Sequence, residues 1–127
     1  MKMERDVIDF IKRNRPALVA TVSPEGIPNV ALKGSLTVLD EERLMYAELV
    51  EGRTSHNVVR HPEVAVVVQD HAGHGYQIKG RGHRDDDVSA YGLSCDVTSS
   101  IRMDLPPPQA VIVIDVTEVD ALEPPHP

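Results

Sequence analysis

The sequence predicts a mainly β domain, in which six or seven antiparallel strands form a closed or nearly closed barrel, with one helix ahead of them and a short helix in the middle. Three observations predict it. Short apolar runs rich in Val recur along the chain, separated by turns containing Gly, Pro, Asp and Ser. There is no Trp, and Phe10, Tyr46, Tyr76 and Tyr91 are the only aromatic residues, so the interior is built from β-branched and aliphatic side chains that suit a pleated sheet. Alternating β and α units are missing, and Gly73, Gly75, Gly80 and Gly82 lack the G-x-G-x-x-G spacing between a strand and a helix, which argues against a doubly wound fold. At 127 residues the chain is read as one domain over 1–120, followed by a tail over 121–127.

Each element has a local cause. From Met3 to Asn14, the residues Met3, Val7, Ile8, Phe10 and Ile11 recur at helical spacing and Pro16 ends the pattern, so this segment is a helix packed on a sheet. Ala17–Val22 is a short apolar strand. Ser23-Pro24-Glu25-Gly26 then has Ser, Pro and Gly at the first, second and fourth positions of a type I turn. Ile27 to Leu39 is a strand pair or one long bent strand, in which Pro28 marks an edge or a bulge and Lys33-Gly34 an interruption. A turn at Asp40-Glu41-Glu42 leads to a strand over Arg43 to Leu49. Val64 to Gln69 is nearly continuous in β-branched residues, the pattern of a strand buried on both faces. A Gly-rich reversal at Asp70–Gly75 and a strand over Tyr76–Gly82 follow. Asp85-Asp86-Asp87 suits a helix start, Pro106-Pro107-Pro108 breaks regular structure, and Gln109 to Val119 is the last strand.

Composition narrows the function. A net charge of −7 and scarce aromatic platforms argue against nucleic acid as a partner. No apolar run reaches membrane-spanning length, and residues 1–20 are amphipathic and charged rather than signal-like, so no membrane partner and a cytoplasmic location are expected. Cys95 is the only cysteine, which excludes an internal disulfide and a cysteine-based zinc cluster, and no basic activator stands beside it. His71 and His74 with Asp70 lack a further metal ligand, and Asp85-Asp86-Asp87 reads as a solvated acidic run, so no metal is expected. No G-x-S-x-G elbow occurs, and no residue is assigned as catalytic.

The stretch from Gly52 to Pro62 is the most informative. It lies between two strand-like runs and reads as a loop, a short helix capped by Thr54 or Ser55, and a stop at Pro62. Free N–H groups at a helix start, one or two hydroxyls and the guanidinium of Arg53 favour a bound phosphate. A charge-assisted hydrogen bond contributes about 1.5–3 kcal/mol against about 0.3–1 kcal/mol for the helix dipole, so Arg53 should dominate. A short connecting helix that binds nothing is the alternative reading of the same residues.

These features together resemble the pyridoxamine 5′-phosphate oxidase-like FMN-binding split-barrel superfamily, most closely its short FMN-binding proteins. The resemblance spans Val7 to Val119 and rests on several ordered pieces: the initial helix, Leu18-Val19-Ala20-Thr21-Val22 with Pro24-Glu25-Gly26-Ile27-Pro28, and Leu36-Thr37-Val38-Leu39-Asp40 leading to Arg43-Leu44-Met45-Tyr46. Its sharpest part is Gly52-Arg53-Thr54, Asn57-Val58 and His61-Pro62-Glu63-Val64. It implies a split β-barrel with FMN at a homodimer interface, the phosphate held by Arg53 and Thr54. Val30, Ala31, Leu32 and Lys33 together with Ala47, Glu48 and Leu49 would flank the ring, with backbone groups meeting its pyrimidine edge. A charge on Lys33 there would favour a reduced, anionic flavin; a solvated strand lysine is the other reading. The C-terminal Glu123-Pro124-Pro125-His126-Pro127 lacks the basic substrate-binding segment of a true pyridoxamine 5′-phosphate oxidase, so vitamin B6 oxidation is not expected. Two classes of function follow: a flavin oxidoreductase or small electron carrier, or a non-redox binding or regulatory barrel for haem, deazaflavin or another phosphate-bearing ligand.

Overall fold

The computed structural model describes residues 1–48, 53–91 and 109–123. Helix α1 (Arg5–Arg13) is followed by strands β1 (Ala17–Val22), β2 (Pro28–Lys33), β3 (Thr37–Asp40) and β4 (Arg43–Glu48). Helix α2 (Arg53–Arg60), strands β5 (Glu63–Gln69) and β6 (Gly75–Asp85), a 3₁₀ turn (Val88–Tyr91) and strand β7 (Ala110–Leu122) are the remaining described elements. The strands form one seven-stranded antiparallel sheet in the order β2-β1-β5-β6-β7-β4-β3. β2 and β3 are neighbours in sequence but opposite edges of the sheet. The segment over Ile27 to Leu39 is therefore two strands, and they pair with β1 and β4 rather than with each other. Pro28 stands on an edge strand, where its missing N–H costs no ladder bond.

The sheet curls until its edges meet at one end. Ser35, in the turn between β2 and β3, bonds both main-chain groups of Ala47: the Ala47 N–H donates to Ser35 Oγ at 3.0 Å, and the hydroxyl donates to the Ala47 carbonyl at 3.4 Å. Lys33 at the end of β2 reaches Glu48 at the end of β4. The barrel is thus split along β2 and β3 and fastened where the chain passes between them.

Two turns follow their residues closely. At Ser23–Gly26 the Gly26 N–H donates to the Ser23 carbonyl at 2.9 Å, and Gly26 takes a φ of 86° that suits glycine. At Asp40 the carboxylate accepts from the Glu42 N–H and from Arg43, and the Arg43 guanidinium holds that carboxyl below its ordinary pKa. The Asp70–Gly75 reversal is closed by Asp70 Oδ1, which accepts from the N–H groups of Ala72 and His74. The Arg15–Pro16 peptide is cis.

The interior is aliphatic, as the composition requires. Val19, Val66, Val68, Ile78, Leu44, Tyr46, Ile112 and Ile114 fill the barrel, and α1 closes it with Val7, Ile8 and Ile11, joined by Met3 just ahead of the helix. Phe10 meets Tyr76 edge to face at 5.2 Å between ring centroids. A second cluster of Met45, Val111 and Val113 lies on the other face of β4 and β7, under Leu39, Val88 and Tyr91.

That second cluster corrects one expectation. β5, expected to be buried on both faces, alternates: Val64, Val66 and Val68 are buried, while Ala65 and Val67 are only half-buried. The strands buried on both faces are β4 and the first half of β7, because the 3₁₀ turn covers their outer side and no described element covers that of β5. A second correction concerns the boundary of the tail. Ala121 and Leu122 belong to β7, paired with Tyr76 and Gly75.

The β6–β7 ladder has a bulge. Lys79 pairs with Glu118 and Gly80 with Val116, which leaves Thr117 as the extra residue. At Gly80 an added Cβ would collide with the Asp115 carbonyl oxygen and lie 2.7 Å from Ile114 Cγ2, whereas at Gly34 it would meet nothing within 4 Å. Gly80→Ala should destabilise the fold by about 1–3 kcal/mol and Gly34→Ala should change it by less than about 0.5 kcal/mol, as read from urea unfolding midpoints.

Candidate functional site

Helix α2 sits on the sheet through hydroxyl and amide groups as much as through hydrocarbon. Val58 is its apolar anchor, set against Gly82 so closely that a Cβ there would stand 3.0 Å from Val58 Cγ1. Thr54, Ser55 and Asn57 are also buried. Each is satisfied by a different strand, since a buried polar group without a partner costs about 1–3 kcal/mol. Asn29 Nδ2 of β2 donates to Thr54 Oγ1 at 3.1 Å, Arg84 Nη1 of β6 donates to Ser55 Oγ at 3.0 Å, and Asn57 Nδ2 donates to Thr21 Oγ1 of β1 at 3.1 Å. Arg84 Nε also donates to Asp86 Oδ1 at 2.9 Å.

The expected cap is corrected by this geometry. The helix begins at Arg53, so Thr54 and Ser55 lie inside its first turn rather than before it. Both hydroxyls accept a hydrogen bond from a side chain, and each keeps its own proton to donate. Arg84 places a guanidinium at the same turn, a contribution that the linear sequence, with Arg84 some thirty positions further on, gave no reason to expect.

The residues expected around the ring divide into two groups. On β2, Asn29, Ala31 and Lys33 share the half-buried face, while Val30 and Leu32 point to the outer face and are 61% and 66% exposed. On β4, Ala47 and Glu48 are buried. The structure brings Lys33 and Glu48 together: Lys33 Nζ lies 3.4 Å from Glu48 Oε1 and 5.2 Å from the Tyr46 ring centroid. Lys33 is therefore not a solvated strand lysine. Main-chain bonding from β4 is less free than expected, because the Ala47 N–H is bonded to Ser35 and the Glu48 carbonyl accepts the Gln109 N–H at 2.8 Å. Among the described residues β2 pairs with β1 alone, which leaves its other edge open beside the site. Leu49, Gly52 and the side chain of Arg53 lie outside the described residues, as do Cys95 and Pro106 to Pro108.

The Tyr46 hydroxyl is buried and has no hydrogen-bond partner among the described residues. Burial first, and the Glu48 carboxylate second, push it far above the ordinary tyrosine pKa.

Elsewhere, Phe10, Arg13, Asp70, His74, Tyr76 and Leu122 help to line an open cleft of about 370 Å³ at the other end of α1, away from these groups. His74 Nδ1 lies 3.6 Å from Asp70 Oδ2, and among the described residues no three His, Cys, Asp or Glu side chains converge to hold a metal. No helix of the described residues is long and apolar enough to cross a membrane.

A split antiparallel barrel with a helix over one end and a polar-docked helix between its fourth and fifth strands defines a split-barrel protein. The chain belongs to the pyridoxamine 5′-phosphate oxidase family, whose model matches residues 3–123. A candidate pyridoxamine 5′-phosphate oxidase of Lactobacillus delbrueckii is 28% identical, with a TM-score of 0.72 over 94% of this chain and 93% of that one. An FMN-binding protein of Syntrophomonas wolfei shares the fold at 12% identity, with a TM-score of 0.75 over 94% of this chain and 86% of that one. An uncharacterized protein of Methanocaldococcus jannaschii is 28% identical over 121 residues, 94% of this chain and 80% of its own.

Tyr46→Phe removes an unpartnered buried hydroxyl and keeps the ring under Lys33. It should raise stability by about 1 kcal/mol in denaturant unfolding, and a loss of stability would mean that the hydroxyl is bonded in solution.

Proposed function

We propose that the protein is an FMN-binding flavoprotein, a small oxidoreductase or electron carrier that holds FMN at the interface of a homodimer. The observation that carries this reading is the first turn of α2, where the Thr54 and Ser55 hydroxyls are fixed by Asn29 and Arg84 and keep their protons to donate. With Arg53 at the head of the same helix, those donors fit a phosphate monoester, whose oxygens accept several hydrogen bonds at once.

The row Asn29, Ala31, Lys33 runs along β2 from this turn towards Glu48, so the ring of the flavin would lie against Ala31, Lys33 and the main chain of Val30 and Leu32 on one side and Ala47 and Glu48 on the other. The open edge of β2 offers main-chain donors and acceptors to the pyrimidine edge. When bound, FMN supplies the redox chemistry. The protein's part is to anchor the phosphate, orient the ring and set the charge around it.

The second protomer would pack on the outer face of β1, β2 and β5. Leu18, Val30 and Leu32 are 39%, 61% and 66% exposed there, beside the half-buried Ala65 and Val67. A contiguous apolar face of this kind on a small domain marks a partner surface.

Two measurements test the reading. Protein mixed with FMN and freed of excess should keep a flavin absorption spectrum that dithionite bleaches and air restores, and Arg53→Ala should weaken FMN binding at least about tenfold with unchanged folding. A colourless protein that retains no FMN would exclude the flavin assignment and leave an anion pocket for another phosphate-bearing ligand. Leu32→Glu should shift the protein from dimer to monomer in sedimentation velocity; a wild-type monomer would exclude the interface.

A further inference from the structure

Lys33 and Glu48 form the most buried of the ion pairs seen among the described residues. Its carboxylate is 3% exposed and its lysine side chain 19%, whereas Lys2–Glu41, Arg5–Asp9 and Lys79–Glu118 lie open to water. Burying a pair of charges gains little stability, because the desolvation cost offsets most of the attraction, and two apolar side chains would close the barrel seam as well. The bonds of Ser35 to Ala47 continue the β3–β4 register, so Lys33–Glu48 is the side-chain contact that joins the end of β2 to the end of β4. Closing the seam does not require charge, and the position of the pair suggests a further use. Lys33 is on the same face of β2 as Asn29, which bonds Thr54, and four residues of strand set the two about 13 Å apart.

We infer that Glu48 is a positioning residue that holds the Lys33 ammonium over the Tyr46 ring and neutralises it, so that the balance of these two charges, rather than Lys33 alone, sets the reduction potential of a bound flavin. The inference rests on the flavin reading above. Reduction adds negative charge to the ring system, so a nearby cation favours the reduced cofactor and a nearby carboxylate opposes it. With both present at 3.4 Å each offsets part of the other's field nearby, and removing either leaves the full field of its partner. Tyr46, buried beneath them with its hydroxyl unpartnered, supplies a low-dielectric floor that leaves either charge poorly screened when its partner is removed.

The test is a charge cycle read by the midpoint potential of bound FMN. Glu48→Gln keeps the shape and frees the ammonium, so reduced FMN should gain about tenfold in affinity relative to oxidised FMN and the potential should become more positive. Lys33→Met keeps an apolar stem and leaves the carboxylate, so the shift should be similar in size and opposite in sign. The double variant should return close to the wild-type potential. Lys33→Met alone strands a buried carboxylate and is the variant most exposed to misfolding, in which case Glu48→Gln and the double variant carry the comparison. If Glu48→Gln binds FMN at an unchanged potential, the inference is wrong and the flavin reading stands; if the wild-type protein takes up no FMN, both fail together.

Discussion

The arrangement depends on a constraint of burial: α2 covers the barrel with a face that carries Thr54, Ser55 and Asn57 beside Val58, and every one of those polar groups needs a partner once water is removed. The partners come from β1, β2 and β6, strands that are not all neighbours in the sheet. Satisfying them fixes the curl of the sheet as well as the seat of the helix, because Thr21, Asn29 and Arg84 must converge on one turn and a half of α2. Gly82 makes the approach close enough. The helix is consequently held by directional bonds, and its first turn has little freedom to rotate away from the site.

Much of this was legible in the sequence, and for local reasons. The turn at Ser23–Gly26, the edge role of Pro28, the reversal at Asp70–Gly75 and the stop at Pro62 follow from residues that fix φ, lack an N–H or bond their own backbone. Helix α1 was readable from its apolar spacing. What was not legible is tertiary. A continuous run of Val in β5 looks the same whether one face or both are covered, and the cover for β4 and β7 comes from the turn at Val88–Tyr91, which no periodicity in those strands announces.

The site divides in the same way. The short helix before Pro62 was readable, but its start was expected one or two residues later, at Thr54 or Ser55, and it begins at Arg53. Asn29, Ser35 and Arg84 were missed, since an Asn after a Pro, a Ser after a Gly or an Arg after a His carries no signal of what it will face across the barrel. The pairing of Lys33 with Glu48 joins two residues that the sequence marked separately, and only the curl of the sheet shows that they share one space.

The place of β7 in the strand order bears on how the protein is made. It is the last of the described strands, yet it lies between β6 and β4 and joins the group β2-β1-β5-β6 to the pair β4-β3. Before β7 is made, no ladder among the described residues links those two groups, and the inner edges of β6 and β4 wait for it. Its insertion closes two edges at once and completes the apolar interior. The nascent chain thus holds two strand edges open until β7 arrives, and those edges, rather than the finished surface, are what it exposes to wrong partners at that stage.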